Sequence, residues 1–229
     1  MSSFNYDSGS EGEWEDRGEV SWNEFDWQQF LLRQHKETSR FISFYEQNLS
    51  RPDRLDHVAS LMGWEREDWS VGEGFDDEDE RKQSESKDEE GLRESDPYTL
   101  HRHPVYVVTA GLIMQTRFFW EAAFAQEGTT LGTQFAWRAS STTAMIERQI
   151  ILMIQAVDMG DFLLAVCHGK LGLRALNETL ALVDDLPSDG ETAHFTEAMR
   201  IRLFDTREVC LRVMTDCREE DRRGFRDSD

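Results

Sequence analysis

The stretch TQFAWRASSTTAMIERQIILMIQAVDMGDFLLAVCHGKLGLRALNETLALVDDLP, residues 133–187, decides the fold class. In its first half Phe135, Ala139, Thr142, Ile146, Ile150, Met153 and Val157 recur at steps of three and four, which lines them along one face of a helix. In its second half Phe162, Val166, Gly169, Leu173, Leu176, Leu180 and Val183 do the same. Gly160 suits the left-handed residue that ends a helix, Asp161 suits the cap that starts the next, and Pro187 marks where that one must stop. So short a connection predicts antiparallel neighbours. Gly169 and Gly172 would let another helix approach closely, at some cost in helix propensity.

Working outward, Pro104 opens an earlier helix through Val108, Leu112, Phe119 and Ala122 to Gly128. It is apolar on nearly every side as far as Met114, which predicts a central position. A last helix begins between Ser188 and Glu191 and carries Phe195, Met199, Leu203, Cys210 and Val213 to Cys217. Its basic end, Arg222 and Arg223, complements the helix dipole. No stretch alternates apolar and polar residues over strand length, so the prediction is an all-α chain with an up-and-down bundle of four long helices over 97–229.

Residues 21–64 predict two further helices. Ser21 and Glu24 have capping-box spacing, and Trp27, Leu31, Thr38, Ile42, Tyr45 and Leu49 form a stripe that ends near Ser50. Pro52 suits the start of a short second helix with Leu55, Val58 and Met62 on its apolar face and Gly63 as its stop. The first of these helices is unusually aromatic. Trp22, Phe25, Trp27, Phe30, Phe41, Phe44 and Tyr45 are too many for one stripe against one neighbour, so some must meet a second surface. Either this helix packs on the bundle, completing the same domain, or it is a tethered docking element.

Charge separates these helices from the rest. The formal net charge is −21, from 46 acids and 25 bases in 229 residues. Residues 1–21 hold six acids against one base, and residues 65–96 hold fifteen against five, so these two stretches carry −15 of it. Residues 1–20 read as a disordered acidic terminus and 65–96 as an acidic flexible linker, both too poor in apolar clusters to offset the entropy of ordering. Nucleic acid is not an expected partner, because the chain offers no basic stripe to neutralise phosphates. The longest run without Asp, Glu, Lys or Arg is fourteen residues, His103 to Thr116, too short to span a bilayer as a helix. An acidic N-terminus without an apolar run makes the cytoplasm the default location. Cys167, Cys210 and Cys217, odd in number and without CxxC spacing, read as reduced core thiols.

Candidate chemistry is sparse. Glu191 and His194 have the Glu-x-x-His spacing found in di-metal bundles, but in a single copy. His101 and His103 would project to one side of an extended segment before Pro104 and could grip one edge of a metal ion. Together these four are the metal-ligand candidates; a divalent metal is the alternative the residues offer, and no cofactor is otherwise predicted. Arg117 and Glu121 lie one turn apart on the central helix; if Arg117 meets Glu121 or Glu147 inside the bundle, the pair would fix helix register or line a ligand pocket, and Gln149 and His35 lie close to core stripes. His168 reads as a hydrogen-bonded packing residue. Ser140, Ser141, Thr142 and Thr143, mid-helix, read as bonding the preceding carbonyls, and Gly72-Glu73-Gly74 lacks the context of a phosphate cradle. The expectation for function is a non-catalytic interaction or regulatory protein with a protein partner. Its contact residues would be Trp22, Phe25, Trp27, Phe30, Phe41 and Phe44 of the first helix, and Trp64 and Trp69 beside the acidic linker, which suits a basic partner. A metal- or small-ligand-binding bundle, with enzymatic activity left open, is the alternative.

Overall fold

The computed structural model describes residues 22–64, 99–187 and 190–226. The disordered terminus and acidic linker expected at 1–20 and 65–96, and Trp69 with them, lie outside the described residues. In chain order the elements are α1 (Glu24–Gln47), α2 (Arg54–Met62), a 3-10 turn at Leu100–Arg102, α3 (Pro104–Asp158), α4 (Phe162–Asp184) and α5 (Gly190–Arg226). There is no strand among the described residues.

The bundle consists of the two arms of α3, α4 and α5. Its interior is the apolar set that the three-and-four spacing selects: Leu112, Ile146, Met153, Leu176 and Leu203 are all at most about one per cent exposed. Residues that act on their own backbone set the boundaries. Gly63 and Gly160 take left-handed conformations and end their helices, and the Asp161 side chain accepts the Leu164 amide at 3.0 Å to start α4.

Five boundaries differ from expectation. The box that opens α1 is Asn23 with Asp26: Asn23 Oδ1 accepts the amides of Phe25 and Asp26, and Asp26 accepts that of Asn23. α1 ends at Gln47. Pro52 sits in the turn before α2, which starts at Arg54. The largest difference is in α3, which does not stop at Gly128 but runs 55 residues with one non-helical position, Gly132, at φ 72° and ψ 160°. Only glycine adopts that conformation without cost, so one residue does the work expected of a loop. α5 continues past Cys217 to Arg226.

α1 lies across the first arm of α3 at a close crossing. A Cβ on Gly111 would stand 2.9 Å from Phe41 Cδ1, so the missing side chain is what admits the ring. Phe41 stacks on Tyr45 with centroids 5.7 Å apart and on Trp64 at 6.4 Å. Gly169 plays the same part between α4 and α5, where a Cβ would fall 2.5 Å from Met214 Cγ. Gly172 does not, because its Cβ would meet Gln149 at an ordinary 3.5 Å.

The cysteines divide. Cys210 and Cys217 are buried as expected, whereas Cys167 is exposed on α4, so its assignment to the core is corrected. Burial pushes both the Cys210 and Cys217 thiols up to about 12 from an ordinary value of 9. In the native protein a water-soluble disulfide reagent should therefore titrate Cys167 alone, the other two reacting after denaturation. Between pH 9 and 12 the native state retains protons that the unfolded chain has released. Stability from the two thiols is thus fully present below about pH 9 and lost as pH rises through 12. A denaturant midpoint falling over that window, and falling less in a Cys210→Ala variant, is the expected result.

Candidate functional site

The strongest concentration of buried polar chemistry lies on one flank of α5, where it meets α1, α2 and α3. Arg202, Asp205 and Arg212, spaced three and seven apart, fall on adjoining turns of that flank. Each reaches a different segment. Asp205 accepts both Arg54 Nε and Nη2 at 2.6 Å, a two-pronged geometry that aligns guanidinium with carboxylate, and it also accepts the hydroxyl of Tyr45. Burial first, and then the Asp205 charge, push the Tyr45 phenol well above its ordinary range, so it stays a donor at any working pH.

Arg202 is 2% exposed, and each part of its guanidinium has a partner. Nε donates to Gln115 Oε1 at 2.8 Å, Nη1 to the Ala198 carbonyl at 2.8 Å, and Nη2 to Glu46. Gln115 closes the loop by donating to the same Glu46 at 2.5 Å. The cation stands 4.7 Å from the Phe119 ring centre and 5.8 Å from that of Tyr45, which adds cation–π attraction. Further along, Arg212 pairs with Asp56 of α2 and with Glu208 at 3.1 Å. These contacts form a clasp: α5 fastens α1 and α2, and its two buried charges, Arg202 and Asp205, would be costly to bury alone.

Beside the clasp, the start of α2 and the middle of α5 enclose a cleft of about 340 Å³. Pro52, Leu55, Phe204 and Leu211 supply its apolar walls, and Arg207 lies between the last two. A wider hollow along Lys170, Arg174 and Ala181 draws its described lining from α4 alone.

The residues singled out from sequence are mostly dispersed. His103 caps α3, its Nδ1 accepting the Val105 amide at 3.2 Å, while His101 turns its ring edge to Tyr106 at 5.0 Å. The His101 Nδ1 and Thr99 Oγ1 atoms are buried without a hydrogen-bond partner. His194 is exposed beside Phe195, and the Glu191 side chain lies outside the described residues. No cluster of three or more His, Cys, Asp and Glu able to hold a metal occurs among the described residues. Arg117 meets Glu147 at 2.5 Å, but both are substantially exposed, so the pair bridges the arms of α3 at the surface rather than inside. Glu121 and His35 are exposed too. His168 Nδ1 is 2.8 Å from Gln149 Oε1, so two side chains flagged separately satisfy one another. Thr142 and Thr143 donate to carbonyls one turn back.

The aromatic residues of α1 separate into two groups. Phe41 and Tyr45 are core, and Phe44 and Trp64 are half-buried against it. Toward the N-terminus Phe30 is buried in edge contacts with Trp22 and Trp27, at 5.4 and 6.0 Å, but Phe25 is 64%, Trp27 39% and Leu32 51% exposed. The clasp had no signal in sequence, since Glu46, Arg54 and Asp205 look like ordinary solvated charges until the fold brings them together. No helix is long and apolar enough to cross a membrane among the described residues. Comparison with known protein families, with curated proteins and with solved structures finds no match.

Proposed function

We propose that the protein is a non-catalytic, cytoplasmic interaction module whose docking element is the N-terminal half of α1. The observation that carries this is the contrast within one helix. Its second half is fastened to the bundle by Phe41, Tyr45 and the clasp, while Phe25 and Leu32, seven residues apart and hence on one side of its first half, are 64% and 51% exposed. An apolar face of this kind on a helix held rigid at one end suits a partner groove, which buries anchors at steps of three, four and seven. The −21 charge favours a partner with a basic rim, because its field speeds encounter with a positive surface.

The test is a photo-crosslinking residue placed at Gln28 in the full chain. A discrete crosslinked protein that disappears with Phe25→Asp plus Leu32→Asp, at unchanged melting temperature, is the expected outcome. Neutralising Asp76 through Glu80 should slow association with that protein and flatten its salt dependence. A crosslink insensitive to the double variant overturns the assignment to this face, and a crosslink to a second copy makes the face a self-association surface.

A further inference from the structure

α3 turns back on itself at one residue. Helical backbone runs from Pro104 to Asp158 with Gly132 as its single non-helical position, and φ 72° with ψ 160° is a conformation that only glycine holds without strain. A Cβ on Gly132 would meet nothing within 4 Å, so an alanine there would face a backbone penalty and no clash. The turn before α4 is built differently: Gly160 ends one helix and the Asp161 side chain caps the next, which fixes the chain from both sides. No proline lies between Pro104 and Pro187, so α3 is free to become one straight helix of 55 residues, about 82 Å long. The bend also divides the molecule into halves that are each packed within themselves. On its N-terminal side Phe41 seats on Gly111, and on its C-terminal side Met214 and Met153 converge on Gly169. Across it run Trp120 against Phe135 at 6.1 Å, Arg117 to Glu147 at 2.5 Å, and Tyr45 and Arg54 to Asp205.

We infer that Gly132 is the hinge of an arm exchange between two copies of this chain. In the dimer both hinges are helical, and the two straight α3 helices run antiparallel about a two-fold axis at Gly132. The half up to Leu131 of each copy packs on the half from Thr133 of the other. The contacts across the bend are kept, now between chains, because an exchanged arm presents the same surface as the resident one. Each hinge gains unbroken helix in place of a positive-φ bend, and the opposing term is the entropy of joining two copies. The −21 charge on each copy also resists the pairing, so added salt should favour the dimer. The exchange makes no use of Phe25 or Leu32 and is independent of the docking role given to α1.

The test refolds the full chain over a range of concentrations, with and without added salt, and reads its mass by light scattering. Spin labels at Arg117→Cys and Glu147→Cys, in a Cys167→Ser chain diluted into unlabelled protein, then give the distance within one copy by pulsed electron spin resonance. The two sites face each other across the bend in the monomer and are 30 residues apart along a straight helix, so the dimer should show about 45 Å. Gly132→Ala should raise the dimer association constant on the order of a hundredfold, about tenfold for each of the two hinges, because alanine penalises the bend and favours the helix. Insertion of Gly-Ser-Gly after Gly132 relaxes the bend and should leave a monomer with the same helical spectrum. A dimer that keeps the short distance is a surface association and overturns the proposal. So does a wild-type chain that stays monomeric at every concentration, or a Gly132→Ala chain with no more dimer than wild type, folded or not.

Discussion

Asp205→Ala should lower stability by about 3 kcal/mol, a fall in melting temperature of roughly 6–12 °C for a chain of this size. The substitution removes one carboxylate and leaves two groups without their partner: the guanidinium of Arg54, with a side chain only 20% exposed, and the fully buried hydroxyl of Tyr45. Most of the loss comes from those abandoned groups rather than from the ion pair itself. Tyr45→Phe in the same background should therefore restore part of it, since it deletes a donor that has nothing to bond. Calorimetry of the two single variants and the double variant measures the coupling, and additive losses would show that Asp205 does not hold the clasp.

Gly169→Val should cost about 2–3 kcal/mol, for an unrelated reason. The first added carbon already falls 2.5 Å from Met214 Cγ and 3.2 Å from Met153 Sδ, and branching places two more atoms in that crowd. Methionine side chains bend, but here two of them converge in a packed interior between α3, α4 and α5. Gly172→Ala, three residues on, meets only ordinary contact and gains helix propensity, so it should raise stability by up to about 1 kcal/mol. Opposite signs for these two neighbouring glycines in chemical denaturation are the expected result. A loss at both would mean that α4 packs differently from the arrangement described.

Why one glycine matters and the other does not shows where sequence stops being informative. Both sit on an apolar helix, and only the remote methionines distinguish them. Features governed by a residue's own backbone were legible: the helix stops at Gly63 and Gly160, the cap at Asp161, the end before Pro187. The start of α1 was misplaced because Ser21/Glu24 and Asn23/Asp26 present the same spacing two residues apart. The break in α3 was placed at Gly128 rather than Gly132 for a similar reason, two glycines in a short polar stretch being locally equivalent. Gly111 gave no signal, its reason for being glycine lying in Phe41, seventy residues earlier. Of the site, the aromatic excess of α1 was readable as a demand for two surfaces. The clasp was not, because ion pairs between distant segments leave no periodic trace.

The clasp also sets a timetable. Tyr45 and Arg54 are separated from Asp205 by 160 and 151 residues, so α1 and α2 leave the ribosome well before the helix that fastens them. At about 5–20 residues per second that interval is roughly 8–30 s, during which Tyr45 has no α5 to close over it. Within the bundle, α3, α4 and α5 pair with chain neighbours and can zip as they emerge. The growing chain therefore presents an aromatic helix well before it owns the charges that fasten it, and a chaperone that reads exposed rings would meet α1 before the clasp exists.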